Sequence, residues 1–313
     1  MASTVVVGVT FVDIKGFSYE KYNSLGRNLG SVRIVHGGVS RNVVEDFANL
    51  GMPVSFASML EDTAFGKDVA RRLTMAGADL RYTITAPDNG LGMWLVVLDE
   101  TGNLAGSISR MPDTAILEEY IARCGDEIIS GAENVVLEID LTERIAADVL
   151  TLAEKYRKKV YAIVGNMSVI LAHPEFLRRT DCFICNEIEA GRLFASDAVP
   201  VFSPEQMLEY LPVAAKAAGI PSMVVTMGVH GAVYCDIRSG DAGICPSFPA
   251  RVVDTSGAGD AFFSGTVMGL TRKLPLREAV RYGSRLASLT IESAENSCPV
   301  NHDFFQPQTV RIQ

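Results

Sequence analysis

Apolar residues along this chain fall into short runs separated by glycine, proline and charged residues. Residues 4–12 (TVVVGVTFV) form the first run, β-branched and continuous, and predict a buried strand. Val43, Phe47 and Leu50 then recur at spacings of four and three, one face of a helix that Gly51 would stop. PVSFASML (53–60) predicts a strand and the stretch near Gly66 to Ala76 a helix. Further along, NVVLEID (134–140), VYAIV (160–164), CFIC (182–185) and SMVVTM (222–227) predict strands. Helices fall between them. Thr142 is placed to cap one whose Ile145, Val149, Leu152 and Tyr156 share a face, EIEAGRLF (187–194) is another, and Ser203–Pro204 opens a third. A hairpin near GAVYC (231–235), a glycine-led helix through 261–270 and a helix from Leu276 towards Ser293 complete the series. Strand alternating with helix predicts an α/β fold, a central mostly parallel sheet with helices on both faces.

Two stretches break that rhythm. Residues 13–35 carry glycines at 16, 26 and 30 and then an alternating SVRIV, an irregular excursion with short strands rather than a helix. Residues 91–108 read as a hairpin turning near Glu100–Gly102. With no repeat, low-complexity tract or linker, residues 1–313 read as a single domain into which these two stretches are inserted.

Composition narrows the function classes. Apolar residues make up 48% and charged residues 21%, enough for a substantial core. The net charge of −9, without a basic cluster, argues against nucleic-acid or anionic-membrane partners. The N-terminus lacks the basic segment of a signal peptide, and no apolar run approaches about 20 residues, so a cytoplasmic protein is expected. The six cysteines are scattered, and the single CxxC (Cys182, Cys185) lies inside a strand-like run, which points to reduced, structural thiols.

Candidate chemistry centres on Asp254–Gly265, DTSGAGDAFFSG. Gly257, Ala258 and Gly259 stand at the start of a helix, where unpaired N–H groups and the helix dipole suit an anion and small side chains let a phosphate approach. Asp260 follows and could take a proton from an attacking hydroxyl, so cradle and base together suit phosphoryl transfer to an alcohol. A plain strand–helix turn with a first-turn acid would read the same way. No GKS or GKT follows, so this is not a P-loop. Gly37 and Gly38, with Asn42 behind them, form a second candidate: the glycines let a substrate lie on the backbone, and Asn42 offers a donor and an acceptor to hydroxyls. Asp13 follows the first strand, where α/β sheets bind ligands. Asn186 and Glu189 follow CFIC on one helical face, where Glu189 could hold Mg²⁺ through water, or where the pair could simply cap the helix.

DTSGAGDAFFSG resembles the C-terminal signature of the ribokinase-like (PfkB) carbohydrate kinases, and GGVSRN with its helix resembles the N-terminal one. NxxE at 186–189 and TxGxxG at Thr226, Gly228 and Gly231 match further family motifs in order. The resemblance implies a three-layer ribokinase-like sandwich, with 13–35 and 91–108 forming a small β-sheet lid that often makes a homodimer contact. It implies ATP as phosphoryl donor with Mg²⁺, a small sugar or nucleoside as acceptor, and Asp260 as the base acting on a primary hydroxyl. Asp13 and, more loosely, Asp140 would contact the acceptor, and Thr226, Gly228 and Gly231 the nucleotide. Asp254 and Ser256 match positions that in some members bind a monovalent cation such as K⁺ through backbone carbonyls. Within the family, residues 26–42 look most like pseudouridine kinases, with Arg27–Asn28–Leu29–Gly30 and Asn166–Met167–Ser168 departing from their pattern. The alternative from another class is a non-catalytic sugar or nucleoside sensor on the same fold, which would have no use for Asp260 or NxxE. A nicotinamide-dependent dehydrogenase would need GxGxxG after the first strand, where this chain has GVTFVD.

Overall fold

Residues 3–194 and 202–305 are described by the computed structural model, so the expected domain span of 1–313 reaches past them at both ends. The chain opens with strands β1 (Thr4–Val7), β2 (Phe11–Ser18) and β3 (Gly30–Gly37), then helix α1 (Val39–Asn49), β4 (Val54–Glu61) and α2 (Ala64–Ala76). Strands β5 (Thr83–Ala86), β6 (Gly92–Leu98) and β7 (Leu104–Arg110) lead into α3 (Thr114–Ser130), β8 (Asn134–Glu138), α4 (Glu143–Lys155), β9 (Lys159–Ile163) and α5 (Ser168–Ala172). The rest runs β10 (Cys182–Asn186), α6 (Glu187–Phe194), α7 (Pro204–Ala218), β11 (Ser222–Thr226), β12 (Ala232–Asp236), β13 (Asp241–Cys245), α8 (Ala258–Thr271) and α9 (Leu276–Thr290).

Among the described residues, nine strands join in the order β13-β12-β11-β10-β9-β8-β1-β4-β5. The pairs from β11 through to β5 are parallel, and at one edge the β11–β12 and β12–β13 pairs are antiparallel, so that β12 alone runs against the rest. Strand side chains alternate between faces. In β1, Val5 and Val7 enter a core with Leu117 and Ile121 of α3, Val149 of α4 and Leu211 of α7. Val6 enters a second core with Phe47 of α1, Leu73 of α2, Phe263 of α8 and Val280 of α9. Helices on both faces of one sheet make the three-layer α/β sandwich that the alternation predicts.

The helix starts carry the capping chemistry of their sequences. Thr142 Oγ1 accepts the Ile145 N–H at 3.1 Å, and Ser203 and Gln206 form a reciprocal capping box. Helix α9 stops at Thr290, short of Ser293, where the Ile291 carbonyl turns to accept the N–H groups of Val253 and Asp254. Cys182 and Cys185 lie buried on β10 as free thiols.

The expected first strand over 4–12 is two elements. After Val7 the Val9 N–H turns to Glu138 Oε2 (3.2 Å), and the Thr10 carbonyl accepts the Gly92 N–H (2.9 Å). Those bonds hand the chain to a separate four-stranded sheet in the order β3-β2-β6-β7. Asp13 therefore lies within β2 of the small sheet, not at the end of a main-sheet strand. The excursion at 13–35 is likewise more regular than expected, with two eight-residue strands paired from Phe11↔Gly37 to Ser18↔Gly30. Helix α3 and strand β5 stand where no element was expected.

Candidate active site

The DTSGAGD segment crosses from β13 towards α8, and Gly257 caps that helix with φ of 77°. That left-handed conformation favours glycine, and a Cβ there would fall 2.1 Å from the Asn296 carbonyl oxygen. The amides are not all free. The Ala258 N–H bonds the Thr255 carbonyl at 3.2 Å, which removes it from the expected cradle. Gly259 and Asp260 remain in the first helical turn, where N–H groups have no intrahelical acceptor. A Cβ on Gly259 would meet nothing within 4 Å, so open space lies over this turn.

The second motif meets the first here. Gly38 turns the chain from β3 into α1 with φ of 94°, and a Cβ there would sit 2.8 Å from the Phe11 nitrogen. That turn delivers Asn42, whose Nδ2 donates to Asp260 Oδ2 at 2.6 Å across 218 residues of sequence. The Asn42 Oδ1 is buried without a partner, an acceptor left over beside Asp260. Asp13 lies against Gly37, whose Cβ position would be 2.6 Å from Asp13 Oδ2. From β2, Lys15 Nζ donates to Ser256 Oγ at 3.0 Å and lies 3.8 Å from the Asp254 carboxylate, which itself accepts the Ser256 N–H.

Charge at this junction is held in a tight balance. Burial pushes the Asp260 carboxyl up to about 7 and Glu189 adds to the rise, while the Asn42 hydrogen bond and the Arg41 charge oppose it. A base near 7 is well matched to proton transfer at neutral pH. Burial likewise raises the Asp13 carboxyl, against the pull of Lys15, Arg41 and an Asn296 hydrogen bond. Arg41 itself is buried and paired with Glu45 at 2.6 Å, and Glu45 also takes Arg72 at 2.7 Å. Behind this layer, Glu138 accepts the Ser40 hydroxyl at 2.7 Å and the Val9 N–H. Burial, reinforced by Asp140 and Asp260, pushes its carboxyl up to about 8.

That last shift has a thermodynamic consequence. A carboxyl that holds its proton more tightly folded than unfolded adds stability that is complete below its ordinary value of 4.5. The contribution disappears as pH rises towards about 8. Asp46, buried and pushed up to about 7, acts in the same direction. Thermal melts should therefore show Tm falling from pH 5 to pH 8, and Glu138→Gln should make that fall shallower. An unchanged slope in the variant would contradict the assignment.

The residues expected to face the nucleotide lie at the carboxyl ends of adjacent strands, with Asn186 directly opposite Thr226 in the β10–β11 register. Asn186 Oδ1 accepts the Glu189 N–H at 2.9 Å, and Glu189 Oε2 accepts the Asn186 N–H at 2.8 Å. The capping arrangement is thus present, and burial raises the Glu189 carboxyl. Thr226 Oγ1 donates to the Cys185 carbonyl at 3.4 Å, and Gly228 and Gly231 bound a single tight turn after β11, both with positive φ. Asp140, loosely expected at the acceptor, bonds backbone amides. Its buried carboxylate accepts the N–H groups of Gly165, Asn166 (2.5 Å) and Met167 (2.7 Å), anchoring the loop before α5. Among the described residues, no three His, Cys, Asp or Glu side chains converge to hold a metal ion.

Comparison with known proteins gives the family. The family model described as pfkB family carbohydrate kinase matches residues 1–301. The chain belongs to this family. Its members are phosphotransferases, and so is this PfkB kinase. It is 35% identical over 296 residues to the guanosine-inosine kinase of Exiguobacterium acetylicum, covering 95% of this chain and 96% of that one. It is 26% identical to the pseudouridine kinase of Escherichia coli, covering 94% and 92%. The solved ribokinase of Arabidopsis thaliana complexed with ribose and ATP superposes with a TM-score of 0.79 at 22% identity, covering 96% and 97%. The ribokinase fold is thereby shown for this PfkB kinase, including the small second sheet.

Sequence reasoning missed several residues of the site. Lys15 sits two positions after Asp13 on the same strand face, in an alternation that continues past residue 12. Arg41 and Glu138 stood inside recognised segments as charged residues at buried positions. Asn296 gave no local signal, because its Nδ2 reaches the His36 carbonyl across 260 residues.

Proposed function

We propose that this PfkB kinase transfers the γ-phosphoryl group of ATP to the primary hydroxyl of a nucleoside, with guanosine and inosine as the first acceptors to test. The observation that carries the reading is the 2.6 Å bond from Asn42 to Asp260, which joins both glycine motifs at one helix start. Asp260 takes the proton from the acceptor hydroxyl as its oxygen bonds to the γ-phosphorus and the bond to ADP breaks. The first-turn N–H groups of Gly259 and Asp260 stabilise charge on the transferred group. Asp13, Gly37, Gly38 and Asn42 hold the acceptor, while Thr226, Gly228 and Gly231 line the nucleotide's phosphates. The Glu189 carboxylate keeps lone pairs beyond its one capping bond, so it fits a water-mediated hold on Mg²⁺, which when bound neutralises phosphate charge. The nucleoside preference draws on the 35% identity to guanosine-inosine kinase over nearly the full length of both chains.

An ADP-release assay with Mg-ATP against guanosine, inosine, pseudouridine, ribose and fructose tests the reading. Turnover confined to nucleosides is expected. Turnover with free sugars alone would overturn the nucleoside part, and no turnover with any acceptor would favour the sensor reading. Substituting Na⁺ for K⁺ in the same assay reads the cation role of Asp254 and Ser256.

The small sheet also supports a partner reading. Ile14, Ile34, Leu95 and Ile108 stand opposite one another across its four strands, with Ile34 54% and Ile108 70% exposed. A row of apolar side chains on an open sheet face suits a second copy of the chain. Sedimentation should show a dimer that Ile34→Glu dissociates. A monomeric wild type would sink the dimer.

A further inference from the structure

The chemistry proposed above needs two half-sites in register, one for the acceptor and one for the phosphoryl group. They sit on different elements: Asp13 belongs to β2 of the small sheet, and the anion turn belongs to the 254–260 segment of the main body. Lys15 spans the gap. Strand periodicity puts it on the same face as Asp13, roughly 7 Å further along the backbone. Its side chain is 10% exposed, and its Nζ reaches Ser256 Oγ at 3.0 Å and the Asp254 carboxylate at 3.8 Å, across 241 residues of sequence. Ser256 directly precedes Gly257, the residue that sets the anion turn.

Burying an ammonium group is costly unless it is paired and hydrogen-bonded, so this geometry persists only while the small sheet stays seated on the turn. Arg33 stands opposite Lys15 in the β2–β3 register, so two cations stand side by side on the small sheet. If β2 moved off the turn, the Lys15 bond would be lost and Asp13 would be carried away with the strand.

We propose that Lys15 is a positioning residue that latches the acceptor-binding strand onto the phosphoryl-binding turn, so that acceptor and nucleotide bind cooperatively. The proposal rests on the kinase reading for what the two half-sites bind. It adds that their coupling runs through one side chain. Either ligand favours the seated sheet, and by linkage each must tighten the other by the same factor.

Calorimetric titration of a non-hydrolysable ATP analogue, with and without the best acceptor, gives the coupling directly. The wild type should bind the analogue about 5–150-fold more tightly with acceptor present, the usual range for coupled sites. Lys15→Met keeps an apolar stem of similar length and should reduce the coupling to about twofold or less, while Lys15→Arg should restore part of it. In turnover, Lys15→Met should lower kcat by roughly tenfold to a hundredfold, the scale of a misplaced substrate, and raise the acceptor KM. Ser256→Ala removes the other end of the bond, so its effect should not add to that of Lys15→Met. Full coupling retained in Lys15→Met, or simple additivity with Ser256→Ala, would overturn the proposal. Amide hydrogen exchange on the ligand-free proteins keeps the latch testable if no acceptor is found. Faster exchange along β2 and β3 in Lys15→Met is expected there, and identical protection would overturn the latch whatever the substrate proves to be.

Discussion

Asp260→Asn should lower kcat by about 10²–10⁴-fold, the usual contribution of a positioned general base. Asparagine keeps an oxygen that can accept the Asn42 amide hydrogen, so the 2.6 Å contact that joins the two motifs survives. The acceptor KM should change little, because the lost interaction belongs to proton transfer and not to ground-state binding. The pH profile separates this from a generic defect. As a general base Asp260 would work as the carboxylate, and burial pushes its titration in the free protein up to about 7, so kcat/KM should rise with pH through that region. The residual activity of the variant should lack that rising limb. A variant with near-normal turnover, or one that keeps the limb, would remove Asp260 from the role.

Gly257→Ala should be nearly as severe for a different reason. The residue sits at φ of 77°, where a Cβ carries a cost of about 1–2 kcal/mol, and that Cβ would also fall 2.1 Å from the Asn296 carbonyl oxygen. The turn must move to relieve the clash, and both α8 and the C-terminal segment bearing Asn296 meet there. Stability should fall by about 2 kcal/mol or more, and kcat by about 10²–10³-fold as the cradle amides lose their aim. Gly259→Ala is the matched comparison. Its Cβ meets nothing within 4 Å, so Tm should hold, yet the methyl group stands in the space through which a phosphate would approach. Activity lost in both variants with stability lost in only the first would support the cradle. Normal activity in Gly259→Ala would place the phosphate elsewhere.

Much of this molecule was legible because its hydrophobic runs are local. The strands around Val5, Val135, Val160, Phe183 and Val224 are near-continuous apolar runs, as parallel strands buried on both faces must be. Thr142 and Ser203 marked helix starts because capping is a contact within a few residues. The two glycine motifs could be read for the same reason, since small residues before a helix carry their own geometry. What escaped notice depended on distance or on context. Nothing within residues 4–12 announces that β1 ends at Val7, because Glu138 and Gly92 supply the bonds that redirect the chain. Asp113 caps α3, and the helix buries Leu117, Ile121 and Ile128, a spacing that sits in a stretch also rich in charge. Asp140 was legible as an acid just past a strand, but its bonds to three amides some 25 residues later were not. NxxE shows the converse limit. One pattern serves as helix cap and as a candidate metal ligand, and the reciprocal bonds show that the first use is present.

The most direct test of the account is the identity of the phosphorylated product. The protein would be incubated with Mg-ATP and inosine or guanosine, and the product analysed by ³¹P-coupled NMR and mass spectrometry beside a 5′-deoxynucleoside control. One phosphate on the 5′ carbon, formed in step with ADP and absent from the control, is the predicted result. ADP released without any phosphorylated nucleoside, or a phosphate carried at another position, would contradict it.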